Sequence, residues 1–544
     1  MKQSPPLDLS TTTIQTPSRQ EDTPHSLPAL TVVSHPASQR VGERLLLGAL
    51  AAGREVRLSR SAPDFARPGS LLALPLGDPF ISRKPLILEP GPGGGVRLRV
   101  EEEGVRVLVG DEPLRGAREL GPEALAAGVP LVLAERVVLL LHLASSHEGP
   151  LPEIPSMVGQ SMGLRRVREE LARVADLDVP VLIRGETGTG KELVARALHQ
   201  GSPRRQGPFL SVNLGALPKE LVIAELFGAQ RGAFTGANRD REGLFRAAHG
   251  GTLFLDEVGE ASPEVQVALL RVLETGEVFP VGSHSPVPVD VRLLTATDAN
   301  LESRIEEGLF RAPLLHRLAG YEVRLPPLRE RREDIGLLFH HFAREELERI
   351  GELHRLSSTD PRADPWLPTA LAVRLVRHAW PGNIRQLRNV TRQLIIGSRG
   401  LPRLRTDARL EQELDASAQP LPGGSRGDSS AAPRVPEPEP EEEAKAPVPR
   451  RKPSEVEEHE LLAALRHCSW ELQAAADRLC IPRPSIYPLI KRFPHLRTAG
   501  DLSPEEIERC FHECRGELDA MVERLQVSRR ALQRRIRELG LDNA

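Results

Sequence analysis

The octapeptide GETGTGKE occupies Gly185 to Glu192, directly after the apolar run PVLIR and directly before the helical pattern LVARAL. Strand, glycine-rich loop and helix in that order form a phosphate cradle. The backbone N–H groups of Gly185, Glu186, Thr187, Gly188, Thr189 and Gly190 and the helix start would face the anion, and Lys191 would reach the β and γ groups. Glu192 stands where a Ser or Thr would bind Mg²⁺. The bland alternative is a glycine-rich turn in a fold that binds no nucleotide. Further along, GGTLFLDEVGE ends an apolar run on Asp256 and Glu257. Two adjacent carboxylates there suit a metal-bound water at Asp256 and a base at Glu257. A strand-terminal acidic turn is the alternative. Phosphoryl transfer also needs cations where negative charge develops. Arg311 and Arg317 in GLFRAPLLHRL and Arg385 in WPGNIRQL follow in order, as γ-phosphate sensors or fingers. Taken singly, each reads as a surface arginine.

These residues need a scaffold. From residue 154 to about residue 402, apolar runs (PVLIR, GTLFLDEV, VDVRLLTATD) alternate with helical patterns such as SMGLRRVREELARVADL. That alternation predicts an α/β fold with a parallel sheet. Residues 29–145 read differently. Short apolar runs (EVRLSR, SLLALPL, KPLILEP, GVRLRV, GVRVLVG, VPLVLA, RVVLLLHL) are broken by Gly and Pro, which predicts a β-sandwich. Residues 1–28 are polar and rich in Ser, Thr and Pro, and are expected to be a disordered tail. Residues 415–454 are expected to be a linker, with an acidic part from Glu437 to Glu443 and a basic knot at Arg450, Arg451 and Lys452. Residues 455–544 contain an internal repeat. ELQAAADRLCIPRPSIYPLIKRF from Glu471 aligns without gaps to ELDAMVERLQVSRRALQRRIREL from Glu517, so Leu479 falls opposite Leu525 and Ile490 opposite Ile536. Each copy reads as helix, turn, helix. The expected whole is multidomain: β-sandwich, central α/β P-loop domain with a helical lid, and an all-α C-terminal repeat.

Composition excludes several classes. The chain has 544 residues, a net charge of −3 and 40% hydrophobic content. No stretch is apolar over the roughly 18 residues a membrane span needs. The N-terminus has no apolar run like a secretion signal, and four cysteines in so long a chain are no disulfide framework. A reducing cytoplasm fits. Cys468, Cys480, Cys510 and Cys514 all fall in the repeat, where buried thiols acting as small hydrophobes fit better than a zinc spacing.

Residues 154–402 resemble the AAA+ domain of bacterial sigma-54 activators, the enhancer-binding proteins. The resemblance rests on GETGTGKE, ELFGAQRGAFTGA, GGTLFLDEVGE, LPPLRERREDI and WPGNIRQLRN, in that order. In that family Glu follows the lysine, as Glu192 does here. The resemblance implies ATP and Mg²⁺ as cofactors, with Gly190 and Lys191 on phosphate and Asp256 on the magnesium-linked water. Glu257 would polarise the attacking water, and Asn213 would pair with it as the nucleotide switch. Arg311 and Arg317 would act across a subunit boundary, and Arg385 as second sensor. Gly232, Ala233, Phe234, Thr235, Gly236 and Ala237 would form a surface loop, with Phe234 and Thr235 on sigma-54. An exposed Phe tip fits a contact site. Fingers acting in trans imply a homo-oligomeric ring, a hexamer by resemblance, that remodels the sigma-54 RNA polymerase closed complex. The chain departs from the family pattern at Ala229, where His is usual, at Gln386, where Glu is common, and at Asp298, where the first sensor is usually Asn.

Both ends carry resemblances too. The C-terminal repeat resembles a Fis-type helix-turn-helix. Ser528, Arg529, Arg530, Gln533, Arg534, Arg535 and Arg537 form a basic segment able to lie in a major groove of double-stranded DNA. Pro488 breaks the equivalent segment of the first copy, so the second is expected to read DNA. A solvated basic helix is the alternative. The N-terminal sandwich lacks the Asp-rich pattern of a receiver domain and resembles a forkhead-associated (FHA) domain. Arg60, Ser82 and Lys84 fall where that family holds a phosphothreonine of a protein partner. Ser59 replaces a Gly, Pro85 a His, and the later Asn is missing near Gly110, so a plain interaction surface stays open beside phosphopeptide binding. The expectation is a cytoplasmic bacterial regulator whose ATPase opens sigma-54 promoters. A DNA-binding regulator with an ATPase impaired by Asp298, acting by binding alone, is the alternative.

Overall fold

The computed structural model of the chain describes residues 26–101, 104–146, 154, 157–233, 239–356 and 362–416. In the C-terminal region it describes residues 458–467, 470, 475, 478–479, 502–514, 518–525, 527, 532–533, 535–536 and 539. The chain divides into two compact units, Met1–Gly427 and Asp428–Ala544.

The first unit opens with an antiparallel sandwich. Its strands are β1 (Ser26–Ser34), β2 (Arg44–Leu46), β3 (Val56–Leu58), β4 (Phe65–Ala66), β5 (Ala73–Leu74), β6 (Leu86–Pro90), β7 (Val96–Val100), β8 (Val107–Val109), β9 (Glu112–Pro113), β10 (Ala117–Leu120), β11 (Val129–Leu133) and β12 (Val137–Ser145). One sheet has the order β5-β4-β2-β1-β12-β11-β8-β9 and faces a smaller one, β10-β7-β6-β3. Strand β1 corrects the expected tail, because it begins at Ser26 rather than after residue 28. The long β12 supplies ladder partners as far as Ser145, so Ser26 and Leu27 pair with Ser145 and Ala144.

Five parallel strands follow: β13 (Val181–Arg184), β14 (Phe209–Asn213), β15 (Thr252–Asp256), β18 (Arg292–Thr297) and β19 (Tyr321–Arg324), after numbering the hairpin Glu277–Val278 and Val287–Pro288 as β16 and β17. Their order is β14-β15-β18-β13-β19. The expected parallel α/β sheet is therefore present. Strand β13 sits between β18 and β19, fully buried at Val181, Leu182 and Ile183. Its loop thus leaves the sheet beside the ends of β18 and β15, where Asp298 and Asp256 stand. The helix Met162–Val174 starts on Ser161, whose hydroxyl accepts from Leu164 N at 3.3 Å.

A helical lid completes the unit: Glu333–Arg349, Thr369–Arg377, Asn383–Gly397 and Ala408–Ala416. The last helix corrects two expected boundaries. The packed region does not stop at residue 402, and the linker does not begin at residue 415. Leu404, Leu410 and Leu414 are buried in the lid core, so burial of their apolar faces carries the folded region on to Ala416.

The lid core also includes Val33, Val132, Val138 and Leu140 of the sandwich. The two domains that the sequence suggests are separate therefore share one hydrophobic core. The helix Glu333–Arg349 lies against β1 at Gly336, where any Cβ would come within 2.5 Å of Val33 O. Polar ties reinforce the contact. Asp78 and Arg136 form a buried ion pair at 2.9 Å, and Arg136 also donates to Ala363 O at 2.8 Å. Ser38 donates to Leu356 O at 2.9 Å.

In the second unit, helices Glu458–His467, Pro504–Glu513 and Leu518–Leu525 pack Leu461, Leu465, Trp470, Ile507, Met521, Val522, Leu532 and Ile536 into one small core. Ser503 and Glu506 form a capping box at the start of Pro504–Glu513. The Cys510 and Cys514 sulfurs lie 3.9 Å apart, and Cys510 is buried, as expected of thiols used as apolar groups. Cys468, Cys480 and Pro488 lie outside the described residues.

Candidate functional site

The P-loop joins β13 to the helix Lys191–Gln200. Gly188 and Gly190 have φ of +80° and +101°, which a side chain would strain. At Gly188 a Cβ would also meet Gly382 O at 2.4 Å, because the lid presses on the loop. Ile384 N donates to Gly188 O at 3.0 Å, and Arg385 N approaches the same oxygen at 3.4 Å. The start of the lid helix Asn383–Gly397 is thus seated on the loop.

Lys191 is buried, and its ammonium donates to Gly185 O at 2.8 Å and reaches Glu186 O at 3.4 Å. Burial lowers its pKa, while Asp256, Asp298 and Glu257 act in the opposite sense and Arg385 adds to the lowering. Four of the charged residues expected from sequence therefore act on one ammonium. Glu257 has φ of +56°, unusual for a side-chain-bearing residue, and its N–H donates to Asp256 Oδ1 at 3.0 Å. Its carboxylate lies over Gly215, where a Cβ would be 2.3 Å from Glu257 Oε2. Asp298 accepts from the Thr187 hydroxyl at 2.6 Å. Thr189 is buried and donates to Glu186 O at 2.8 Å.

Some expected residues stand elsewhere. Asn213 ends β14 beside Asp256 but forms no hydrogen bond with Glu257. Its Oδ1 accepts from Ala216 N at 3.1 Å and caps the turn Leu214–Ala216, which occupies it. Glu192 turns to Arg196 one helical turn on, at 2.7 Å. Arg311 and Arg317 are exposed and are not among the charges acting on Lys191. Arg317 reaches Glu274 at 3.7 Å, and Arg311 makes no ion pair among the described residues. Gly232 and Ala233 are described, with Gly232 at φ of +84°. Phe234, Thr235, Gly236 and Ala237 lie outside the described residues, as do Ser528, Arg529, Arg530, Arg534 and Arg537. Gln533 is helical and exposed. In the sandwich, Arg60 N approaches Ser82 O at 3.4 Å, and the Arg60 guanidinium donates to Pro79 O at 3.3 Å. The Ser82 hydroxyl accepts from Lys84 N at 3.1 Å. The three residues expected to face a phosphate thus share one end of the sandwich.

Sequence reasoning missed Arg329 and Asn383. Arg329 grips Glu186 with two bonds, at 2.6 and 2.8 Å, and this pairing holds the Glu186 carboxyl below its ordinary pKa. Asn383 is fully buried at φ of +51°. It donates to Glu186 Oε2 and Thr187 O at 3.1 Å and accepts from Leu328 N at 2.8 Å. The signal was present as the dipeptide Gly382-Asn383 before an apolar-periodic run, a turn that starts a helix. Also missed was a cavity of about 390 Å³ beside Gly190, with an apolar wall of Leu164, Leu193, Leu338 and Ile384 and the polar groups Arg331, His341, Glu345 and Arg388. Its size and mixed lining suit the flat ring of a ligand whose anionic end lies in the loop.

The donor set fits a magnesium–nucleotide. A main-chain cradle, a desolvated ammonium and the adjacent carboxylates Asp256 and Glu257 converge there. No cluster of three or more His, Cys, Asp or Glu side chains poised for a metal exists among the described residues. An ion held largely by phosphate and water, as Mg²⁺ is, needs no such cluster. Among the described residues no helix is long and apolar enough to cross a membrane.

Comparison with known proteins agrees with this geometry. Residues 157–324 match the family described as the Sigma-54 interaction domain, and residues 329–421 match the AAA+ ATPase lid domain. The DNA-binding transcriptional regulator NtrC of Escherichia coli K12 is 47% identical over 252 residues, 46% of this chain and 51% of its own. The C4-dicarboxylate transport transcriptional regulatory protein DctD of Pseudomonas aeruginosa is 45% identical over 269 residues, 49% of this chain and 54% of its own. A crystal structure of NtrX from Brucella abortus with ADP aligns with 71% of this chain and 70% of that one, at 30% identity and a TM-score of 0.42. The chain spans about half the length of the curated relatives it matches. The P-loop and its flanking strands thus lie in residues that resemble the Sigma-54 interaction domain, and the helices after them resemble the AAA+ ATPase lid domain.

Proposed function

We propose that this chain is an ATP-driven activator of transcription from sigma-54 promoters, working in the bacterial cytoplasm. The observation that carries the reading is the convergence of Asp256, Glu257 and Asp298, inside residues that match the Sigma-54 interaction domain, and of Arg385, inside the lid match, on Lys191.

When bound, ATP would supply the γ-phosphoryl group for transfer to water, and its Mg²⁺ would offset the charge on the phosphate oxygens. Gly185 to Lys191 hold the phosphates, with Asp256 as the carboxylate for the metal. Glu257, held in a strained backbone by Asp256, is placed to orient a water and accept its proton. Asn213, capping the turn against which Glu257 lies, is the switch that exchanges its cap for Glu257. Arg385 reports the γ-phosphate to the lid, since its own backbone sits on Gly188. Arg311 and Arg317, exposed and away from their own loop, serve the site of a neighbouring subunit in a ring, a hexamer when active. Residues 232–237 contact sigma-54, and hydrolysis moves that loop against the closed promoter complex. Gln533 and the arginines around it bind double-stranded DNA. Arg60, Ser82 and Lys84 take a phosphothreonine from a protein partner.

The test is capture of sigma-54 by the full chain when ATP is replaced by a mimic of the hydrolysis transition state. Capture that Thr235→Ala abolishes is the expected result. Absence of capture, with nucleotide bound, would overturn the reading. It would favour the second one, a DNA-binding regulator with an impaired ATPase. Asp298 is the observation behind that alternative: its carboxylate lies on the phosphate loop at Thr187. Measured ATP turnover separates the two.

A further inference from the structure

The helix Pro263–Thr275 packs against the central sheet through Val265, Leu269 and Val272, beside Leu253 and Leu293. Between them, on the same buried face, stands Gln266, 1% exposed. An amide in such a place is costly unless its groups are paired. Here they are paired, and the partners belong to two distant functional segments. Gln266 Nε2 donates to Ala261 O at 2.9 Å and to Leu309 O at 2.9 Å. Gln266 Oε1 accepts from Arg311 N at 3.0 Å.

Ala261 ends the short turn that follows Asp256 and Glu257. That turn is closed by Glu260 N on Glu257 O at 2.9 Å and by Ala261 N on Val258 O at 3.2 Å. Arg311 stands at the N-cap position of the helix Ala312–Leu318 with its side chain exposed. One buried amide therefore bolts the turn behind the catalytic carboxylates to the backbone that aims Arg311. A second strut runs parallel to it. Arg304 donates to Gly259 O at 2.7 Å and pairs with Glu260, while Leu309 N and Phe310 N donate to Arg304 O at 2.8 and 3.0 Å. Polar groups fully satisfied in a dry core hold a single arrangement, and a shift at one end must move the other.

We infer that Gln266 is a positioning residue that sets Arg311 for the neighbouring subunit's nucleotide and ties that aim to the state of its own Glu257. The inference rests on the reading of Arg311 as a finger acting in trans. Gln266 touches no nucleotide itself. Its effect is on where Arg311 stands, and misplacement of a catalytic group by about 1 Å costs up to roughly 100-fold in rate.

The experiment measures ATP turnover of full-length Gln266→Leu, Arg311→Ala and Glu257→Gln, each alone and in equimolar pairs. Thermal unfolding and fluorescent-nucleotide binding confirm folded, loaded protein. Gln266→Met, closer in shape, replaces Gln266→Leu if the latter does not fold. Arg311→Ala mixed with Glu257→Gln must recover turnover, because some interfaces then join an intact Glu257 to an intact Arg311. Failure of that pair overturns the finger reading, and the inference with it. With the control in place, the expected result is that Gln266→Leu alone loses roughly 10- to 100-fold. It should recover with Glu257→Gln, which lends a well-placed finger, and not with Arg311→Ala. The reverse pattern would place its effect on its own Glu257 and overturn the inference. Recovery with neither partner would make Gln266 a structural residue only, and unchanged turnover alone would sink the idea equally.

Discussion

The hydroxyl of Thr187 donates to a carboxylate oxygen of Asp298 at 2.6 Å, so the end of β18 holds the phosphate loop by a side chain that carries the same charge as phosphate. Asp298 also acts on Lys191, and in the sense opposite to that ammonium's burial.

Replacing Asp298 by Asn keeps an acceptor for Thr187 and removes the charge. Two unit charges about 4 Å apart in water interact by about 1 kcal/mol, which is roughly fivefold in a rate or a binding constant. Asp298→Asn is therefore expected to raise ATP turnover, lower the KM, or both, by about that factor. Steady-state ATP hydrolysis reads it. Unchanged constants would count against a role for the charge.

Arg329 and Asn383 make Glu186 the lid's handle on the loop. The Arg329–Glu186 pair is partly exposed, so Arg329→Ala should cost below about 1 kcal/mol of stability. The nucleotide should feel the change more. Loss of the grip lets the loop and the lid move apart, and the KM for ATP is expected to rise roughly 3- to 10-fold. A loss of stability without a change in KM would show that the grip serves folding alone.

Asp78 and Arg136 are both buried, with side-chain exposures of 1% and 7%. Removing one charge leaves the other uncompensated, at about 3–5 kcal/mol. Arg136→Met should destabilise the first unit by that amount in denaturant unfolding. Adding Asp78→Asn should restore more than half of it. If Arg136→Met proves neutral, neither the ion pair nor the Arg136 bond to Ala363 O contributes to holding the first unit together.

Glu333 begins the lid helix Glu333–Arg349, and burial, then Asp334, push its carboxyl up to about 7 against the pull of Arg44 and Arg331. A folded pKa above the unfolded one means that the folded state holds the proton longer. No stability is lost to this group below about pH 4.5, where both states are protonated. The loss grows as pH rises from there through 7 and is constant above it. Glu333→Gln should flatten the fall in stability between pH 5 and pH 8, and at pH 8 should be the more stable protein. Thermal unfolding across that range checks the sign, and a variant that loses stability evenly at all pH values would contradict it.

The phosphate loop, Asp256, Glu257 and the parallel character of the central sheet were legible because each follows from a local pattern. A glycine run between a strand and a helix has few other meanings, and an apolar strand ending in two carboxylates has few others beside it. The sandwich strands were legible from their period and their Gly and Pro punctuation, although β1 starts earlier, at Ser26, than the polar texture of its first residues suggests. Asn383 and Arg329 were hidden in motifs already noticed. Their neighbours in sequence say that a helix starts, while their partners, Glu186 and Thr187, lie far back in the chain.

By itself the sequence determined the chemistry available: which residues can cradle phosphate, which can carry a metal-bound water, and which arginines follow them. Tertiary structure decided which of these meet. It brought Asp298 and Arg385 to Lys191 and left Arg311 and Arg317 facing outward. It also joined the sandwich to the lid, with the Gly336 backbone against Val33. That contact follows from close packing between surfaces some three hundred residues apart, and no local period encodes it. Gln266 makes the same point in the other direction: its spacing marks it as a core position, and only the loops folded around it explain why that position is an amide.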